Sequence, residues 1–67
     1  MTVAEFEKLE DAEAERVIRW RFDELARAGF DPSDALVLAT HLDVDLHLAA
    51  RLVSAGCPQD TALRILL

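Results

Sequence analysis

Basic residues are scarce in this chain: seven lysines and arginines stand against thirteen aspartates and glutamates, a formal charge of −6 over 67 residues. Such a surface repels phosphate backbones and anionic lipid at long range, which makes nucleic acid and membranes poor partners. There is one cysteine. That excludes an internal disulfide and, with no charged-apolar-small leader segment at the start, fits a reducing cytoplasm. Long hydrophobic runs are missing too. The longest, Ala35–Ala39, falls far short of the roughly 20 apolar residues that cross a bilayer. Sixty-seven residues allow one domain, near the lower limit for a core without disulfides or metal.

Catalytic patterns are equally thin. No Cys-x-x-Cys occurs, and no carboxylate pair stands inside an apolar stretch, so general acid-base work has no candidate. His41 and His47 flank Asp43 and Asp45 in an alternating His-x-Asp-x-Asp-x-His pattern. Between two helices, however, the aspartates are needed as caps and neither histidine has an obvious partner. Cys57, at a helix start, would feel exposed amides that lower a thiol pKa, but a small buried hydrophobe is its expected role. The expectation is a protein without enzyme activity, metal, cofactor or small-molecule substrate.

What the sequence does contain is helix punctuation and unevenly placed charge. Residues 1–30 hold thirteen of the twenty charged residues, while residues 31–67 hold seven and twenty apolar residues. Thr2-Val3-Ala4-Glu5 reads as a capping box, and no Gly or Pro follows until Gly29. One helix is therefore expected over 3–28, acidic early and basic late as the macrodipole favours. Glu15, Arg19, Asp23 and Arg27 stand four apart with alternating sign, which predicts a ladder of ion pairs on an exposed face.

At 100° per residue this helix has two apolar faces. Ala14, Ile18, Phe22 and Leu25 form one stripe; Val3, Phe6 and Leu9 lie about 130° around, on the side of Trp20, Arg16 and Arg27. Either a bend in Asp11–Glu15 folds the first dozen residues back, making 1–13 an arm on a 14–67 core, or Val3, Phe6, Leu9 and Trp20 face a partner. An exposed tryptophan among arginines fits the composition of binding hot spots.

Gly29 is expected to close the first helix in the left-handed conformation, with Phe30 packing back on its last turn. Asp31-Pro32 opens a second helix over 32–42, apolar nearly all round and so expected to be the most buried; Asp43 or Asp45 caps a third over 45–55, which Gly56 stops. A fourth runs over 58–66, with Pro58 and Asp60 in the places of Pro32 and Asp34. Leu25-x-x-Ala-Gly and Leu52-x-x-Ala-Gly share a spacing that hints at a helix-turn-helix duplication.

From Leu25 to Val53 the chain resembles a ubiquitin-associated (UBA) domain, a compact three-helix module. The matching features are the Gly29-Phe30 turn, Ala35-Leu36 in the second helix, and Leu46, Ala49, Leu52 and Val53 at the spacings of the third. The resemblance implies a hydrophobic binding surface formed by Gly29, Phe30, Leu52 and Val53. The chain departs from that pattern at Ala28, where methionine is usual, in its longer first helix and in its fourth helix. Its Ala/Asp/Arg/Leu/Val-heavy composition is that of a GC-rich bacterial gene, a setting without ubiquitin, so what carries over is the architecture and the idea of a binding surface.

The sequence thus predicts an all-α, four-helix domain with a UBA-like three-helix core. Its expected interior is Phe22, Leu25, Phe30, Leu38, Leu42, Ala49, Leu52 and Ile65. The leading functional expectation is a protein-protein interaction module, self-associating or an adaptor subunit of a larger assembly, using Val3, Phe6, Leu9 and Trp20, the surface implied by the resemblance, or the apolar C-terminal helix. The alternative is a small DNA-binding regulator with a helix-turn-helix in residues 46–67, although its second helix offers Arg64 as the only base, beside Asp60.

Overall fold

The computed structural model describes residues 2–67 and is all-helical, with five helices: α1 (Val3–Glu7), α2 (Asp11–Ala28), α3 (Pro32–Thr40), α4 (Leu46–Ser54) and α5 (Gln59–Leu66). The capping box forms. Thr2 Oγ1 accepts from the Glu5 amide at 3.1 Å, and Glu5 Oε1 accepts from the Thr2 amide at 3.3 Å.

The expected single first helix is two. The chain leaves the helix at Lys8–Glu10, ahead of the Asp11–Glu15 stretch, and restarts with Glu10 as an extended N-cap. The cause is the geometry of the two apolar faces: a straight rod cannot turn both toward one body, and a break lets α1 reverse. Thr2 and Val3 accordingly line a hollow with Trp20, Arg21 and the corner Leu42–His47. Electrostatics agree, since the break places Asp11 and Glu13 in a new first turn.

Both glycines end helices by the same device. Gly29, at φ 123°, donates to the Ala26 carbonyl while Phe30 donates to Leu25, both at 3.1 Å. Gly56, at φ 88°, donates to Val53 while Cys57 donates to Leu52, both at 3.0 Å. These are Schellman closures, in which the residue after the glycine packs back on the turn. The shared Leu-x-x-Ala-Gly spacing is therefore a repeated helix stop. Six residues beyond each glycine, Ala35 and Ala62 are both completely buried. The helix starts differ by one residue, however. Pro32 is the first residue of α3, whereas Pro58 is the N-cap of α5.

Leu25, Phe30, Ala35, Leu38, Ala39, Val44, Ala49 and Ala62 form the buried core, with Ile18, Phe22, Leu46, Leu52, Val53, Cys57, Leu63 and Leu66 packed around it. Four of the innermost residues are alanines, which lets short helices approach closely. Two expected core residues sit elsewhere: Ile65 is 55% exposed and Leu42 is half-buried at the edge of the corner. The helix α3 contributes Ala35, Leu38 and Ala39 to the core but turns Leu36 and Val37 outward. A nine-residue helix in a shell this thin has an outer face whatever its composition.

The ends of α3 and α4 show how loops are fixed. Asp45, rather than Asp43, caps α4, accepting from the His47 and Leu48 amides at 2.9 and 3.3 Å. α3 ends without glycine, and its last carbonyls are met by side chains. Arg21, reaching across from α2, donates to the carbonyls of Ala39 (3.0 Å), His41 (2.9 Å) and Val44 (3.2 Å), with a longer contact of 3.5 Å to Leu38. His41 Nδ1 donates to Val37 at 2.7 Å. Gln59 ties α5 to the first turn, accepting from the Asp31 amide at 2.8 Å and donating to the Gly29 carbonyl at 3.2 Å.

Candidate interaction surface

At about 1.5 Å per residue, the 18-residue α2 is twice as long as nine-residue α3 and α4. Arg21 holds the far end of α3, and of the ten residues of α2 before it only Ile18 packs against the core. The Trp20 face of that stretch is presented to solvent and to α1, and the other face packs on the core at Ile18 and opens beside it as a groove.

On the first face, Trp20 is 58% exposed and Val3 46%. The indole stands where three hollows meet: one with Leu9, Val17 and Arg16, one with Leu25, Leu46 and Ala50, and one with Val3 and the Leu42–His47 corner. Phe6 and Leu9 are half-buried. The break in the helix and the proximity of Val3 to Trp20 thus coexist, because α1 covers this face only in part. None of its residues is fully buried.

The second face is a shallow groove on the other side of α2, floored by Ala12, Ala14 and Ile18, walled by Phe22 and Leu36, and bordered by Glu15, Arg16 and Arg19. Leu36 is 52% exposed. The expected ladder through Glu15, Arg19, Asp23 and Arg27 does not form. Among the described residues the ion pairs are Arg27–Glu24 at 2.7 Å and Arg64–Asp60 at 3.8 Å, both exposed. Arg27 pairs with the acid three residues back, and Arg16 and Arg19 border the groove without an ion pair among the described residues.

The other candidate residues do not form a surface of side chains. Phe30 is 3% exposed, and Leu52 and Val53 are half-buried against the core. Gly29 is exposed, but Val53 Cγ1 lies 3.0 Å from where a β-carbon on it would be. The helix closure explains this, because Phe30 occupies the position that packs inward. Gly29 is also nine residues from Trp20 along one helix, about 13 Å, so the two sets are separate places.

Two groups have shifted acidity. Burial lowers the Arg21 pKa, partly offset by the nearby Asp43 carboxylate, and the four carbonyls around the guanidinium make it a structural cation. Glu5 lies below its ordinary 4.5, chiefly through the Thr2 side-chain and backbone hydrogen bonds. Arg21 shares a hollow with Asp43, Asp45 and His47, but its guanidinium is taken up by the backbone carbonyls. Asp45 is used as a cap, Cys57 Sγ lies 3.5 Å from the Pro58 carbonyl, and no group of three His, Cys, Asp or Glu side chains suited to a metal gathers among the described residues. No helix among them is long and apolar enough to cross a membrane.

Sequence reasoning missed Arg21. A usable signal was present: on the helical wheel Arg21 falls inside the apolar arc, between Val17 and Leu25, where a cation needs a reason. Ala35, Ala39, Val44 and Ala62 were also missed as core, since small side chains reveal their burial only when the helices they separate are placed. Comparison with family models, with curated proteins and with solved structures finds no match to this chain.

Proposed function

We propose that this protein is a non-enzymatic protein-interaction module, self-associating or a small subunit of a larger assembly, with its contact surface centred on Trp20. The observation that carries the reading is the tryptophan itself, 58% exposed at the junction of three apolar-lined hollows, beside Val3 and the Arg16 side chain. Tryptophan and arginine are among the residues most enriched in the energetic centres of interfaces, and an exposed tryptophan contiguous with other apolar surface is the kind of patch that marks a contact site. Leu36, Val37, Ile65 and Leu67 add further exposed apolar surface. A lone, half-buried cysteine suits a reducing compartment such as a bacterial cytoplasm. The DNA-binding reading gains nothing from the structure, since the single base of α5, Arg64, faces Asp60 on its own helix.

The test is affinity capture from the native host with wild-type and Trp20→Ala protein, alongside the fluorescence of Trp20. A partner retained by the wild type and lost by the variant, with blue-shifted emission on binding, supports the reading. A protein that captures nothing, stays monomeric and behaves identically with alanine at position 20 removes it.

A further inference from the structure

The groove on the opposite side of α2 carries charges complementary to a second copy of itself. A closed two-fold interface requires that each residue meet its counterpart reciprocally. Suppose two α2 helices lie antiparallel along their grooves with the axis level with position 17. Glu15 of each copy then stands opposite Arg19 of the other, because these residues are equidistant from the axis and about 40° apart on the wheel. The same register brings Ile18, one position from the axis, beside its own counterpart in the other copy. Asp11 and Asp23 are also equidistant from the axis, but about 120° apart, so they stand on different flanks and do not meet.

Glu15 and Arg19 line the same groove, and neither has an ion-pair partner within its own chain among the described residues. Ile18, Phe22 and Leu36 supply the apolar centre.

We infer that this groove is a homodimer interface, in which two copies pack antiparallel through α2 with reciprocal Glu15–Arg19 pairs around an Ile18, Phe22 and Leu36 centre. The inference takes the self-associating branch of the interaction-module reading and leaves the Trp20 face free on both copies. The dimer is thus bivalent, with one Trp20 surface on each side.

The experiment is sedimentation velocity with light scattering over a concentration series reaching millimolar. The wild type is expected to reach a dimer. Glu15→Arg and Arg19→Glu each create two like-charge contacts by symmetry and weaken self-association about tenfold or more. Mixing the two variants restores the dimer as a heterodimer, since every arginine then meets a glutamate. The double variant E15R/R19E restores it alone. Leu36→Glu, altering a residue already half in water, abolishes it with helical circular dichroism unchanged. A wild type that stays monomeric throughout overturns the inference. So does a dimer indifferent to both charge reversals, or one lost on Trp20→Ala instead; in that last case the Trp20 reading stands and the groove is not the interface. Mixing without recovery, when each variant is folded, also refutes the register.

Discussion

Arg21 is the residue on which the fold should depend most for its size. Its guanidinium donates to three backbone carbonyls at 3.2 Å or less, and it approaches a fourth at 3.5 Å, at the end of α3 and in the corner that follows. Two of those carbonyls belong to Leu38 and Ala39, residues with no exposed surface. Arg21→Met keeps much of the aliphatic stem but leaves these acceptors unmet. Charge-assisted hydrogen bonds are worth about 1.5–3 kcal/mol each in net terms, and sharing one donor group among several acceptors keeps the total to about 2–4 kcal/mol. A chain of 67 residues has about 3–10 kcal/mol of stability in all, so the loss removes a large part of it. Urea unfolding followed by circular dichroism at 222 nm should show the midpoint falling with an unchanged slope, and the melting temperature should drop by about 10–25 °C. Arg21→Lys restores the charge without the planar fork and recovers at most half. Arg51→Met is the control, because that exposed side chain makes no hydrogen bond or ion pair among the described residues. An Arg21→Met protein within about 0.5 kcal/mol of the wild type would refute the assignment.

The two glycines separate strain from crowding. Gly56→Ala meets only the left-handed penalty, about 1 kcal/mol, whereas Gly29→Ala adds the 3.0 Å approach to Val53 Cγ1 and should cost about 2–3 kcal/mol, part of it recovered by Val53→Ala; equal costs in a double-mutant cycle would count against the contact. Phe30→Ala should cost about 3–5 kcal/mol as a core deletion, and a surface-like effect below about 1 kcal/mol would return Phe30 to the binding face. Gln59→Ala removes both bonds to the Gly29–Asp31 turn and should cost about 1–2 kcal/mol, with hydrogen exchange rising first at the Asp31 amide; unchanged exchange there would contradict the bridge. For Glu5, whose folded pKa lies below its ordinary 4.5, the capping contribution is complete above that value and disappears as pH falls through the folded pKa. Carbon-detected titration of the Glu5 carboxyl should therefore give a value under 4.5 that rises toward it in Thr2→Ala, which removes the hydroxyl and keeps the amide; a wild-type midpoint at or above 4.5 would show that the box is open in solution.

Much of the helical outline was legible because its causes are local. A Thr-x-x-Glu box, a glycine that tolerates positive φ and a proline at a first turn act over four or five residues, so Thr2, Gly29, Pro32 and Gly56 could be placed from spacing, whereas the choice of Asp45 over Asp43 as a cap came from the structure. The two faces of the N-terminal segment were visible on the wheel for the same reason. The wheel could not decide between a break and a partner, and the break came three residues earlier than the composition indicated.

What only the tertiary structure decided are the facts that need two elements placed together. Ala35 and Ala62 read as unremarkable small residues in short helices until packing seals them at the centre, and Ile65 reads as core until α5 presents it to water. Arg21 reads as one more base in a charged helix; its role exists because the end of α3, eighteen residues on, arrives with open carbonyls at that level. Which residues of α2 reach the core likewise follows from where Arg21 pins α3, a non-local contact that no periodicity encodes. Local propensity set where the helices start and stop, while the burial of particular side chains and the exposed faces of α2 were settled by packing, because free energy of burial depends on what lies opposite.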